Sequence, residues 1–138
     1  MKKKAIIILC LVAFLVLALV WCGKEKEVAI DYGTSELFSQ ADMDEAIKEI
    51  KKTFNTFEGC KLYSLSYASD EKCEKELEYC NGLAPEETTY DECIVFDSRF
   101  RSPITNAGAW EPNTIYTWSW YLARTNNGNW ELLTYGYA

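Results

Sequence analysis

Seventeen consecutive apolar residues, Ala5 to Trp21 with Cys10 counted among them, split this chain into two parts that fold in different surroundings. Met1-Lys2-Lys3-Lys4 precedes the run, and the next charge is Lys24. A basic stretch followed by such a run is the pattern that export machinery reads. At about 1.5 Å per residue a helix of this length spans roughly 25 Å, at the low end of what crosses a hydrocarbon core. A core helix in a small domain would show a polar face, and this segment has none. Three lysines lie before the run with no positive excess after it, so the carboxy-terminal part is expected outside the cytoplasm. Residues 1–22 therefore read as a signal peptide or membrane anchor and 23–34 as a short charged linker. Residues 35–138 read as a single α+β domain on the outer face of the cell membrane.

The chain carries a net charge of −7, and without the three lysines of its first four residues the remainder carries −10. Such a domain repels nucleic-acid phosphates, so nucleic-acid binding is not expected. There is no histidine. Ser-His-Asp and Cys-His catalysis, histidine-ligated zinc and histidine pH switching are thereby excluded. No phosphate-binding glycine loop, nucleophile elbow or EF-hand loop occurs either. No catalytic residue, cofactor or metal is assigned.

Cys60, Cys73, Cys80 and Cys93 fall in the domain, an even number in an exported chain, and are disulfide candidates whose pairing is open. On one continuous helix, Cys73 and Cys80 would lie about 10.5 Å apart along the axis, too far to bridge. The four thiols lack the close C-x₂₋₄-C pairs of zinc knuckles, and buried free thiols are the other alternative.

Ser39 reads as a helix N-cap, with Asp42 at N3 and Phe38 and Met43 as a hydrophobic staple. Met43, Ala46, Ile47, Ile50, Phe54 and Phe57 then recur on one helical face until Gly59. Cys60 to Tyr67 alternates as a strand, with Lys61, Tyr63, Leu65 and Tyr67 expected on one side. A second, thinly apolar helix is predicted from Ser69 or Asp70 to Asn81, closed by Gly82. A strand follows from Asp91 to Arg101, with Ile94, Phe96 and Phe100 opposite Cys93, Val95, Asp97, Arg99 and Arg101.

The last twenty-five residues predict a hairpin turning at Asn127-Gly128. That tip pairs Arg124 with Glu131, Leu122 with Leu133, Trp120 with Tyr135 and Trp118 with Tyr137. The fold class is thus two helices on a curled, mainly antiparallel four-stranded sheet in the order α-β-α-β-β-β, preceded by a membrane helix.

This order resembles a shortened nuclear-transport-factor-2-like (cystatin-like) roll. Three segments are similar to a group of uncharacterised small bacterial lipoproteins, mostly of Gram-positive anaerobes. They are Tyr32-Gly33-Thr34-Ser35 leading to Asp42-Met43-Asp44, then Gly108-Ala109-Trp110-Glu111-Pro112, and finally Trp118 to Arg124 with Trp130 to Tyr137. The likeness spans most of residues 32–138 and carries no established activity. Leu19-Val20-Trp21-Cys22-Gly23 likewise resembles the lipobox, which implies Cys22 as a lipidation site. Two residues depart from these patterns: Trp21, where the lipobox has a small residue, and Arg101, where the group has a histidine.

Two sets of side chains are candidates for binding. Asp97, Arg99 and Arg101 recur at period two on one strand face, where an acid and two guanidinium groups suit an anion or a proton transfer. Trp110, Tyr116, Trp118, Trp120, Tyr121, Trp130, Tyr135 and Tyr137 exceed what one ribbon face needs to bury, and flat rings suit sugars or peptides. Trp110 and Tyr121 are the first of these expected at a ligand surface. The expected function is a membrane-tethered extracytoplasmic module that binds a small molecule, glycan or peptide. The alternatives are an envelope protein that docks on a partner and, last, an Asp97-based proton-transfer enzyme.

Overall fold

Helix formation starts where the capping chemistry places it. The Ser39 hydroxyl accepts the Asp42 N–H at 3.1 Å, and the Asp42 carboxylate accepts the Ser39 N–H at 2.9 Å. This reciprocal box satisfies two backbone donors that a helix start otherwise leaves open. Phe38 and Met43, the staple pair, are both buried. Ser39→Ala is expected to lower stability by about 1 kcal/mol in urea unfolding.

The computed structural model describes Lys3 and residues 26–138. The whole apolar run, with the expected membrane helix, and Cys22 lie outside the described residues. Among the described residues, no helix is long and apolar enough to cross a membrane. The elements are β1 (Ala29–Asp31), α1 (Gln40–Phe54), β2 (Lys61–Tyr67), α2 (Asp70–Gly82), β3 (Glu92–Arg101), β4 (Ile115–Arg124) and β5 (Glu131–Tyr137). The strands form one sheet in the order β1-β2-β3-β4-β5. β1 runs parallel to β2 and every other neighbouring pair is antiparallel.

The two helices stand as expected, but the sheet has five strands where four were expected, and it does not close. The extra strand lies in the stretch read as linker. Three residues are too few to show a period, and Ala29–Asp31 becomes a strand by pairing with Ser64, Leu65 and Ser66. Val28 and Ile30 pack against the core beside it.

One face of the sheet carries Leu62, Leu65, Tyr67, Ile94, Phe96, Phe100, Trp120 and Leu122, all buried. α1 covers this face with Met43, Ala46, Ile47, Ile50 and Phe54. Phe54 meets Phe100 edge-on at 5.3 Å between ring centres. The helix ends at Phe54, earlier than the expected Gly59, and single turns carry the chain on to Cys60. Gly59 has a positive φ of 74°, and a Cβ there would sit 2.9 Å from the Pro103 ring. Phe57, off the helix, sits among the rings of Phe54, Trp110, Trp118 and Trp120. The opposite face is shared. α2 covers Cys93 and Val95 with Cys73 and Cys80, and the charge of its Lys72 acts on Asp97 further along β3.

Two bulges correct the expected registers. In β2 the pairing steps from Leu62–Phe100 to Ser64–Arg99, leaving Tyr63 as an extra residue. The extra residue reverses the alternation, so Leu62 joins Leu65 and Tyr67 in the core while Lys61 stays exposed. In the last hairpin, Trp118–Tyr137 and Trp120–Tyr135 pair as predicted, with Ser119–Gly136 and Tyr121–Thr134 in the same register. Leu122 then pairs with Leu132, not Leu133, and Ala123 with Glu131.

The turn explains part of the slip. Its two positive-φ residues are Asn126 and Asn127, at 51° and 54°, and the Gly128 N–H donates to the Thr125 carbonyl at 2.9 Å. The tip therefore sits one residue before the expected Asn127-Gly128, because the Asp91 carboxylate accepts the Asn126 N–H at 2.7 Å and draws that residue into the turn. Arg124 does not face Glu131, which accepts the Tyr90 hydroxyl instead.

Candidate functional site

The strip on β3 is held by neighbours from two strands and a loop. Asp97 is half-buried and accepts the Ser119 hydroxyl at 2.5 Å from β4. Arg99 is exposed, with its guanidinium carbon 5.5 Å from the centre of the Tyr63 ring. Arg101 lies over the same ring at 6.0 Å and donates to Asn113 Oδ1 at 2.9 Å. Its Nε is buried without a partner. The β2 bulge is what presents Tyr63 to both arginines, and a sequence period of two gave no sign of it. The result is two cations stacked on an aromatic face, next to an acid already engaged by a hydroxyl. That arrangement suits weak anion contact. Asp97 has no second acid or base beside it among these contacts.

The aromatic residues gather more tightly. On the α1 side, Trp110 from the 102–114 loop lies 5.2 Å from Tyr116 and 5.3 Å from Trp118. The Tyr116 hydroxyl accepts the Glu111 N–H at 3.1 Å, which ties that loop down on the ring cluster. Trp118 stacks on its cross-strand neighbour Tyr135 at 5.6 Å with 21° between planes, and meets Tyr137 edge-on at 6.0 Å. Tyr116 and Tyr137 are 6.2 Å apart. The hairpin ladder thus grades from core to surface. Trp120 is fully buried, Trp118 is half-buried, Tyr135 is 40% exposed and Tyr137 is 78% exposed. The Trp118 Nε1 is buried without a hydrogen-bond partner, a polar group whose desolvation is uncompensated.

Tyr121, the second ring expected at a surface, is on the opposite face from Trp110. It packs edge-on against Tyr79 of α2 at 5.5 Å, with the Lys72 ammonium 5.9 Å from its ring centre. It still rejoins the cluster around the free edge of β5. A shallow groove of about 220 Å³ there is lined by Glu76, Tyr79, Tyr121, Thr134, Tyr135 and Tyr137. Gly136 opens this groove, because a Cβ on it would meet nothing within 4 Å. Tyr79 was not among the expected site residues. Its place on a polar helix, remote in sequence from the hairpin, hid it.

The four domain cysteines separate into two environments. Cys73, Cys80 and Cys93 are buried between α2 and β3, with Cys80 Sγ 2.8 Å from Cys93 Sγ. The hydrogen bond from Cys93 pulls the Cys80 thiol below its ordinary range, while that pairing and burial push Cys93 up. Burial likewise raises Cys73. Cys60 is half-buried and lines a different groove, of about 520 Å³, with Lys26, Lys51, Phe54 and Leu62. Among the described residues, no group of three or more His, Cys, Asp or Glu is placed to hold a metal. The chain matches no protein-family model, no curated protein and no solved structure.

Proposed function

We propose that this chain is a membrane-tethered extracytoplasmic binding module whose surface at the free end of the β4–β5 hairpin engages glycan chains. One observation carries the reading. Trp110, Tyr116, Trp118, Tyr135 and Tyr137 form a contiguous ring cluster whose outer members are left to solvent. Rings fixed by strand pairing offer flat apolar area at small entropic cost, which is what the C–H faces of sugars stack on. The groove around Gly136 adds Glu76 and tyrosine hydroxyls as polar partners for sugar hydroxyls. The tether part of the proposal is supported by the seventeen apolar residues behind three lysines, and by the likeness of the segment ending at Cys22 to a lipobox. The likeness of three segments within residues 32–138 to the small lipoprotein group supports membership of it.

Titrating the full chain in detergent with soluble cell-wall glycan fragments tests this through tryptophan fluorescence, since Trp110 and Trp118 sit in the cluster. A saturable change is expected. Tyr137→Ala is expected to weaken binding about tenfold while leaving stability within about 0.5 kcal/mol. No change at millimolar glycan, or equal affinity in the variant, would sink the glycan reading.

A second reading rests on the sheet edge. Among the described residues β5 pairs only with β4, so its outer row of backbone groups is open to an added strand. An envelope protein could dock there. Binding abolished by Gly136→Pro but indifferent to Tyr137→Ala would favour it.

A further inference from the structure

α2 is held to the sheet by very little. Of its thirteen residues only Cys73 and Cys80 are buried. Much of its remaining surface is charged, with Lys75 paired to Glu71 on the exposed side and Lys72 to Glu76 beside Tyr121. No basic residue stands in its last turn to offset the helix dipole. A stripe this narrow gives a short helix little to gain from burial, and in isolation thirteen residues scarcely hold a helix in water. Yet this helix covers Cys93 and Val95 on the sheet face opposite α1.

The last turn of α2 and the start of β3 are tied together around the sulfur pair. Asn81 Oδ1 accepts the Tyr90 N–H at 2.7 Å, and its Nδ2 donates to the carbonyls of Leu77 and Tyr90. These bonds fix the approach of Cys80, at 0% exposure, to Cys93, at 3%. Their sulfurs are 2.8 Å apart, closer than two thiols that merely pack and short of the roughly 2.05 Å of a bond. Cys73 is committed elsewhere, since its Sγ accepts the Val95 N–H at 3.3 Å. Cys60 lines a groove with Leu62 of β2 and Phe54 of α1, on the other face of the sheet.

We propose that Cys80 and Cys93 are a disulfide-forming pair, that the bridge staples α2 to β3, and that Cys60 and Cys73 remain thiols. This selects one bridge from the connectivities the four cysteines allow, and it is independent of the glycan reading. The two thiols give up two protons and two electrons to a disulfide-bearing oxidant. One cysteine thiolate attacks the oxidant's S–S bond, forming a mixed disulfide and expelling one thiolate. The other cysteine then attacks its partner's sulfur and expels the second, so the oxidant leaves as its dithiol form. Both sulfurs are inaccessible once α2 is docked, so the exchange occurs during folding or when α2 opens. Closing the bridge then makes docking permanent.

The test uses the full chain in detergent, equilibrated with oxidised glutathione and then alkylated with iodoacetamide in denaturant without reductant. A protease that cuts after glutamate separates Cys80 from Cys93 at Glu86 and Glu87. Mass spectrometry should find these two joined, two hydrogens lighter than the separate peptides, with Cys60 and Cys73 alkylated. Alkylation of both Cys80 and Cys93, or a bridge that includes Cys60 or Cys73, would overturn the assignment. The oxidised chain should lose roughly 10 °C of Tm when reduced. On reduction, amide exchange should quicken across residues 70–82 and not across α1. Cys80→Ser should show no dependence of Tm on reductant. Should that variant not fold, the peptide map and the exchange of the unaltered chain decide. Equal quickening in both helices would show that the pair does not anchor α2.

Discussion

Trp120→Ala is expected to lower the stability of the domain by about 3–5 kcal/mol. The ring is fully buried and is the largest side chain so enclosed. It lies 4.8 Å from Tyr135, 6.0 Å from Phe57 and 6.5 Å from Phe54, so it joins the hairpin to α1 and to the segment after it. Its Nε1 donates to Ser98 Oγ at 2.8 Å, and Ser98 donates on to the Trp118 carbonyl at 3.1 Å. Alanine would leave a void that a strand and a helix cannot close between them, and would strip a buried hydroxyl of one partner. Trp120→Phe keeps most of the volume and loses the N–H, so about 1–2 kcal/mol is expected. Urea unfolding followed by circular dichroism measures both. A loss below 1 kcal/mol for alanine would mean that the sheet and α1 do not meet at this ring.

Arg124→Met is the second large effect, about 3 kcal/mol at neutral pH. Arg124 is a buried cation, 7% exposed, at the end of β4. Its Nε donates to Glu92 at 2.6 Å and its Nη1 to Asp42 at 2.9 Å, while the guanidinium carbon lies 4.2 Å from the centre of the Trp130 ring. Trp130 in turn donates its Nε1 to the Asp42 carbonyl at 3.0 Å. One side chain of β4 therefore links the start of α1, through Asp42, to the start of β3, through Glu92. Its removal leaves two partly buried carboxylates facing each other without a cation.

The pH dependence follows from Asp42. Desolvation works to raise this carboxyl, but the Ser39 N–H and hydroxyl and the Arg124 guanidinium outweigh it and hold it below the usual carboxylate range. A lowered folded pKa contributes stability that is present above the unfolded value, about 3.9, and is lost as pH falls toward the folded one. The unaltered chain should therefore lose stability below about pH 4, and the gap to Arg124→Met should narrow over the same interval. A gap that stays constant from pH 7 to pH 3 would rule out the ion pair as its source.

How legible the fold was depends on the range of the interactions that set it. Ser39, Asp42 and the apolar positions up to Phe54 were readable because a cap and a helical period involve residues within a turn or two of each other. The aromatic half of the hairpin was readable too, since four cross-strand pairs follow from period two and a nearby turn. The bulges at Tyr63 and beside Leu122 were not, because a single extra residue is settled by what the partner strand and the turn require. β1 was too short for any period. At the candidate site, the strip of Asp97, Arg99 and Arg101 was seen as a row, but the Tyr63 ring beneath the two arginines was not. Trp110 and Tyr121 were named together, yet they stand on opposite faces, and Tyr79 completes the edge groove unannounced.

By itself the sequence determined the two helices, the strands β2 to β5, the aromatic face of the last hairpin and the absence of histidine chemistry. All of these rest on composition or on contacts local along the chain. Only the tertiary structure decided which cysteines meet, which acids Arg124 takes and where the rings reach solvent. Those outcomes depend on pairs tens of residues apart, whose meeting is set by packing the sheet against two helices and leaves no periodic trace in the residues themselves.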